Sequence, residues 1–219
     1  MGIMRRKQGF TLIELLVVIT IIGILAVMIT VNWGKMKTYS QRTATISNMR
    51  QIGVAFYTYA GENDARLPRR IAGATNVNDK WPKLLHEYLQ DIRVYAAVGD
   101  QSNYIFRKTD PLSNERNYTS YIMNGYNDVG AFTNEAVEVR LTQLEKPASI
   151  ILLGTPKNGS THFYMDMLEG AHGNHSDVLN LELYGNGSCY LFADGSSRFI
   201  TKDDYDHRLW LVNKEFAVP

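Results

Sequence analysis

The sequence predicts an α+β chain in which one long amino-terminal helix precedes a mostly antiparallel β-sheet head. Three observations lead there. From Leu12 to Val31 run twenty residues of which only Glu14, Thr20, Gly23 and Thr30 are not plainly apolar. Beyond them, apolar residues recur mostly at three- and four-residue steps as far as Ala60, with no proline before Pro68. From about Val94 the pattern changes to short apolar runs punctuated by Asn-Gly and Asp-Gly turns.

The first run is long enough to cross a bilayer. At about 1.5 Å per residue, a helix of that length reaches roughly 30 Å, the thickness of the hydrocarbon core. Arg5, Arg6 and Lys7 precede it, which places the basic end in the cytoplasm and the rest of the chain across the membrane. A secretory signal peptide also starts basic and continues apolar. Its apolar part spans only about 7–15 residues and ends in small residues, whereas Asn32, Trp33, Gly34 and Lys35 follow here. A simple uncleaved anchor is the other plain reading, and it leaves Glu14 unexplained. An acid inside a membrane helix is costly and by default functional, with a partner to be found.

Gly9-Phe10-Thr11-Leu12-Ile13-Glu14-Leu15-Leu16-Val17-Val18 resembles the class III signal of type IV pilins and type II secretion pseudopilins. The resemblance implies that a prepilin peptidase cuts between Gly9 and Phe10, on the cytoplasmic side, and methylates the new Phe10 amine. It makes Glu14 the family's assembly acid. Cutting there creates a cationic amine near an acid in apolar surroundings. A buried charge is tolerated when paired, so the amine of one subunit meeting Glu14 of a neighbour offers a register check for assembly. The implied partners are the peptidase, other pilin or pseudopilin subunits, an assembly platform and the inner membrane. The expected segments are a leader at 1–9, a membrane-spanning or filament-core half-helix at 10–34, an amphipathic half-helix at 35–66 and an α+β head at 67–219.

The second half-helix carries Met36, Thr43, Ile46, Met49, Ile52, Gly53, Phe56 and Ala60 as an apolar stripe. Lys35, Arg42, Asn48, Arg50 and Gln51 lie between them. From Phe10 to Ala60 the helix would measure roughly 75 Å. Many members of the resembled family have proline about where Val31 stands, so a straighter helix is expected there, with Gly23 and Gly34 left as bending points. Gly61-Glu62-Asn63-Asp64 and then Leu67-Pro68 stop the helix. Residues 69–80 read as a loop and Trp81–Leu89 as a short helix with proline in its first turn. Strands are expected at Tyr118–Met123, Ser149–Leu153, Thr161–Met167, Val178–Tyr184, Ser188–Ala193 and Ser196–Thr201. Asn124-Gly125 ends the first of these, and Gly185-Asn186-Gly187 and Asp194-Gly195 supply hairpin turns. If the last hairpin forms, Phe192 faces inward and Gly195 takes a positive φ.

The series Asn48–Gly53, Tyr59-Ala60 to Pro68, Ser120–Asn124, Lys146–Ser149 and Leu191–Gly195 is similar to one branch of these proteins, marked by a processing-associated H-x9-DG motif. Tyr184 stands where that motif has histidine, ten residues before Asp194, and Ala97-Val98 replaces a common Cys-Pro.

Composition narrows the remaining chemistry. After the leader and the spanning segment, about 190 residues remain, enough for one compact domain. The chain has 23 basic and 22 acidic residues. Without the three leader charges the balance is 20 against 22, and no basic run lies outside the leader, so nucleic acid is not an expected partner. Cys189 is the single cysteine, which excludes an intramolecular disulfide and reads as a small buried hydrophobe on a strand. No cofactor is expected. Calcium at Asp203, Asp204 and Asp206, or zinc at His172-Gly173-Asn174-His175 with Asp166 and Asp177, are the alternatives, and neither cluster has a recognised ligand spacing. No Gly-x-Ser-x-Gly and no phosphate-binding loop is present, and Asp194-Gly195 reads as a turn rather than a catalytic acid. A structural filament subunit, not an enzyme, is the leading reading, with pilus and pseudopilus both open. The alternative is a membrane-tethered extracytoplasmic module whose sheet and His172–His175 loop bind a sugar, metal or peptide.

Overall fold

The computed structural model describes residues 10–71, 80–89, 91–100, 119–125, 136–137, 139–158, 160, 163–165 and 175–212. The chain divides into two compact units, Met1–Tyr39 and Ser40–Pro219. Helix α1, Leu12–Glu62, contributes to both. In the first unit its apolar side chains from Leu12 to Ile29 stand exposed, as do those of Trp33 and Met36. Thr20 and Thr30 satisfy their hydroxyls on the carbonyls of Leu16 (2.8 Å) and Val27 (2.9 Å), and Asn32 satisfies its amide on that of Met28 (3.0 Å). Polar side chains that bond back to their own helix need no water.

The second unit is a helix on a sheet, as the apolar periodicity implies. Strands β2 (Ile122–Asn124), β4 (Ile151–Gly154), β5 (Tyr164–Met165), β6 (Gly187–Phe192) and β7 (Ser197–Thr201) form one sheet in the order β5-β2-β4-β6-β7. The β2–β5 pair is parallel and the other three pairs are antiparallel. Met49, Ile52, Ala55 and Phe56 of α1 pack with Tyr121, Met123, Leu153, Cys189 and Leu191 on one face. Ile122, Tyr190 and Phe192, alternating with them along the strands, face Met165, Leu179 and Trp210 on the other, and so does Ile151, separated from Leu153 by a shift in the β4–β6 register. Each fully buried side chain of the size of Ile52 or Phe56 contributes about 1.5–3 kcal/mol of transfer free energy. Phe56 stacks on Trp81, the first residue of α2 (Trp81–Leu85), with ring centroids 6.1 Å apart.

Several expectations are corrected. On the helical stripe, Met36 and Thr43 are exposed, while Thr45 and Ala55 are buried in the second unit. The 69–80 stretch is not all loop: Arg70–Ile71 forms β1, paired antiparallel with β3, Ala136–Val137. The helix expected over Trp81–Leu89 stops at Leu85 and continues as a 3₁₀ turn, His86–Tyr88. Ser149 belongs to a 3₁₀ turn rather than to the strand that follows it. Val178–Tyr184 is not a strand. Val178 closes a short helix α3, His175–Val178, and Leu181–Tyr184 form a turn. The reason is local: the Asn180 side chain accepts from the Glu182 N–H (3.1 Å), and Ser188 Oγ both accepts from the Leu183 N–H (3.2 Å) and donates to the Asn180 carbonyl. Side chains take the backbone groups that a strand ladder would need. Gly185-Asn186-Gly187 consequently joins a turn, not a strand, to β6, closed by the Tyr184 N–H on the Gly187 carbonyl (3.0 Å). Tyr118, and Thr161, His162, Asp166 and Met167 around β5, lie outside the described residues.

Candidate functional site

The start of α1 is built around Thr11 and Glu14. The first amides of a helix have no partner within it. Here the Glu14 carboxylate accepts from the Thr11 N–H and from Thr11 Oγ1, both at 2.8 Å, through Oε2. Thr11 Oγ1 in turn accepts from the Glu14 N–H at 3.3 Å. This is a reciprocal capping box. The Thr-x-x-Glu spacing ahead of an apolar run is its sequence signal, so Thr11, which reasoning about charge alone passes over, was there to be read. Oε1 of Glu14 has no partner among the described residues. Phe10 is 85% exposed just before the cap. Gly9, the expected cleavage residue, lies outside the described residues. Leu12–Thr30 is long and apolar enough to cross a membrane.

The Asp194-Gly195 pair forms the turn between β6 and β7. Gly195 has φ +81°, and Asp194 Oδ1 accepts from the Ser196 N–H at 2.9 Å, an Asx turn. Phe192, just before it, is fully buried. The turn lies on α1 at Gly53 and Tyr57. A Cβ on Gly53 would come within 3.0 Å of Leu191 Cδ1 and 3.4 Å of the Gly195 carbonyl oxygen, so glycine is what permits the approach. Tyr57 donates to the Ala193 carbonyl at 2.7 Å.

Tyr184, in the motif's histidine position, fastens the other end of β6. Its hydroxyl donates to the Val98 carbonyl (3.0 Å) and lies 2.6 Å from Thr45 Oγ1, which accepts from the Val98 N–H (2.8 Å). With Thr45 donating to Tyr184, the three residues close a ring of hydrogen bonds. Burial pushes the Tyr184 hydroxyl well above its ordinary pKa, so it stays protonated and able to donate. Tyr184 and the turn at Ala193–Gly195 thus pin the two ends of one strand to α1.

Cys189 is fully buried between those points. Burial pushes its thiol up to about 12, against a smaller downward pull from the Arg42 charge, which is the opposite of an activated nucleophile. Asp204 accepts from Thr201 Oγ1 at 2.5 Å, and Asp206 holds Arg208 through Nη2 at 2.6 Å and caps the turn His207–Trp210. Asp203 is exposed. Among the described residues no three His, Cys, Asp or Glu side chains gather as a metal site would require. His172 and Asp166 lie outside those residues, as does the side chain of His175.

Residues 4–30 match the family described as the Prokaryotic N-terminal methylation motif. Over 95 residues the chain is 34% identical to the type IV major pilin protein PilA of Myxococcus xanthus (strain DK1622). That stretch covers 43% of this chain and 40% of the length of that relative. No solved structure matches the chain.

Proposed function

We propose, from the type IV pilin-family assignment that the matched motif and the relative support, that this chain is the prepilin form of a filament subunit. Prepilin peptidase removes residues 1–9 and methylates the Phe10 amine. The subunit waits in the inner membrane with its amino terminus cytoplasmic and its head outside, then joins other subunits at an assembly platform through the first half of α1. It acts as a structural element and without a cofactor. The relative's being a major pilin tips the reading toward a type IV pilus over a type II secretion pseudopilus.

The observation that carries the proposal is the unsatisfied character of the first unit. Its helix is apolar on every side and exposed along its length from Leu12 to Thr30, so it needs lipid or like helices around it. At its head sits one acid whose Oε2 is held by Thr11 while Oε1 remains for a second partner. The capping box fixes the rotamer of Glu14 before assembly, and the charged amine of a neighbouring Phe10 is the partner that makes burial of the carboxylate tolerable.

The test compares Glu14→Gln and Glu14→Leu with wild type for membrane fraction, leader removal and sheared filament yield. Insertion and cleavage are expected to persist, since the helix becomes no more polar, while filament yield collapses. Normal yield from both variants would remove Glu14 from the assembly contact.

A further inference from the structure

We infer that Trp33, Lys35 and Lys37 form a collar that holds anionic phospholipid headgroups on the extracytoplasmic face of the membrane, and that the unassembled subunit is seated by it. The inference rests on the membrane-spanning reading of α1. Its own observation is a charge pattern. Between Glu14 and Glu62 the chain has no acidic residue, whereas Lys35, Lys37, Arg42 and Arg50 are basic. Lys35 and Lys37 are both exposed, and so is Trp33, at 66%.

Position and geometry select lipid as the occupant. Counting from Thr30, the end of the apolar span, Trp33 lies about 4.5 Å along the axis, Lys35 about 7.5 Å and Lys37 about 10.5 Å. The headgroup layer on each side of a bilayer is about 5–7.5 Å deep. Trp33 therefore sits within it, where an amphipathic ring is favoured. The flexible lysine stems reach back to the phosphates from just above. At about 100° per residue, Lys35 and Lys37 project some 160° apart around the helix, with Trp33 about 40° from Lys37. A protein partner would meet a one-sided stripe. Charges on opposite sides of the helix fit a medium that surrounds it, and a bilayer leaflet does.

Trp33 also supplies the probe, because the other two tryptophans, Trp81 and Trp210, are fully buried. The full chain is reconstituted in phosphatidylcholine vesicles containing phosphatidylglycerol, with bromine placed on the upper acyl chain of one lipid or the other. Subtracting the Trp33→Phe protein isolates the Trp33 emission. Brominated phosphatidylglycerol is expected to quench Trp33 with a relative association several-fold above that of brominated phosphatidylcholine, on the scale of about fivefold per lysine. Lys35→Gln with Lys37→Gln should bring that preference close to one, and high salt should weaken it. Equal quenching by the two lipids in the wild type would overturn the collar while leaving the span intact. Absence of quenching by either lipid, in protein that fails to float with vesicles, would overturn the span and the collar together.

Discussion

Substituting Gly195 separates two contributions that hold the β6–β7 turn on α1. At φ +81° an L-residue pays about 1–2 kcal/mol for the left-handed region. A Cβ there would also meet Tyr57 Cε2 at 3.1 Å, and the same ring anchors the turn through its bond to the Ala193 carbonyl. Moving it costs about 1–3 kcal/mol once Val adds two more carbons. Gly195→Val should therefore destabilise the second unit by about 2–5 kcal/mol. For a unit of this size each kcal/mol lowers Tm by roughly 2–4 °C. Gly185 is the internal control. It too has positive φ, +92°, but nothing lies within 4 Å of where its Cβ would be. Gly185→Ala should show the conformational cost alone, Gly195→Ala somewhat more, and Gly195→Val the most. Thermal unfolding of the full chain in detergent, followed through the buried Trp81 and Trp210, reads all three. If Gly195→Val melts with the wild type, or costs no more than Gly185→Ala, the docking of the turn on Tyr57 is refuted.

Tyr184→Phe should cost about 1 kcal/mol by opening the ring with Thr45 and Val98, and a double-mutant cycle with Thr45→Val should show a coupling above about 0.5 kcal/mol; additive losses would mean the ring contributes nothing as a unit. Native protein should resist iodoacetamide at pH 8 and react at Cys189 once unfolded in urea, because burial holds the thiol up to about 12; labelling at the unfolded rate would contradict this. Asp206 is held down to about 2, chiefly by its side-chain bonds to Arg208. A depressed carboxyl stabilises above its unfolded pKa, near 3.9, and loses that contribution as pH falls toward 2. Asp206→Asn should thus be less stable than wild type at pH 5 and converge with it near pH 2, and a constant gap across that range would disprove the linkage.

The fold was legible where the cause is local. The apolar run, the stop after Glu62, the Asp194-Gly195 turn and the inward Phe192 each depend on residues within a few positions. What escaped was set by distance or by competing side chains. Two-residue β1 finds β3 more than sixty residues later, and β5 joins β2 in parallel, which no short window displays. Leu179 and Leu181 around Asn180 look like strand residues until Ser188 and Asn180 capture the intervening backbone. Thr45 replaces Thr43 on the buried stripe because the helix face is chosen by Tyr184 and Val98, far along the chain. At the candidate site the balance is reversed. Glu14 announces itself as an acid in an apolar helix, yet its nearest partner is Thr11, three residues away.

Mass measurement of the amino-terminal peptide of the mature, membrane-extracted protein tests the proposed function most directly. The expected mature chain begins at Phe10 with a methylated amine, since only that cut leaves the apolar helix attached and places a cation within reach of a neighbour's Glu14. A mature chain that still begins at Met1, or one cut after Val31, would contradict it.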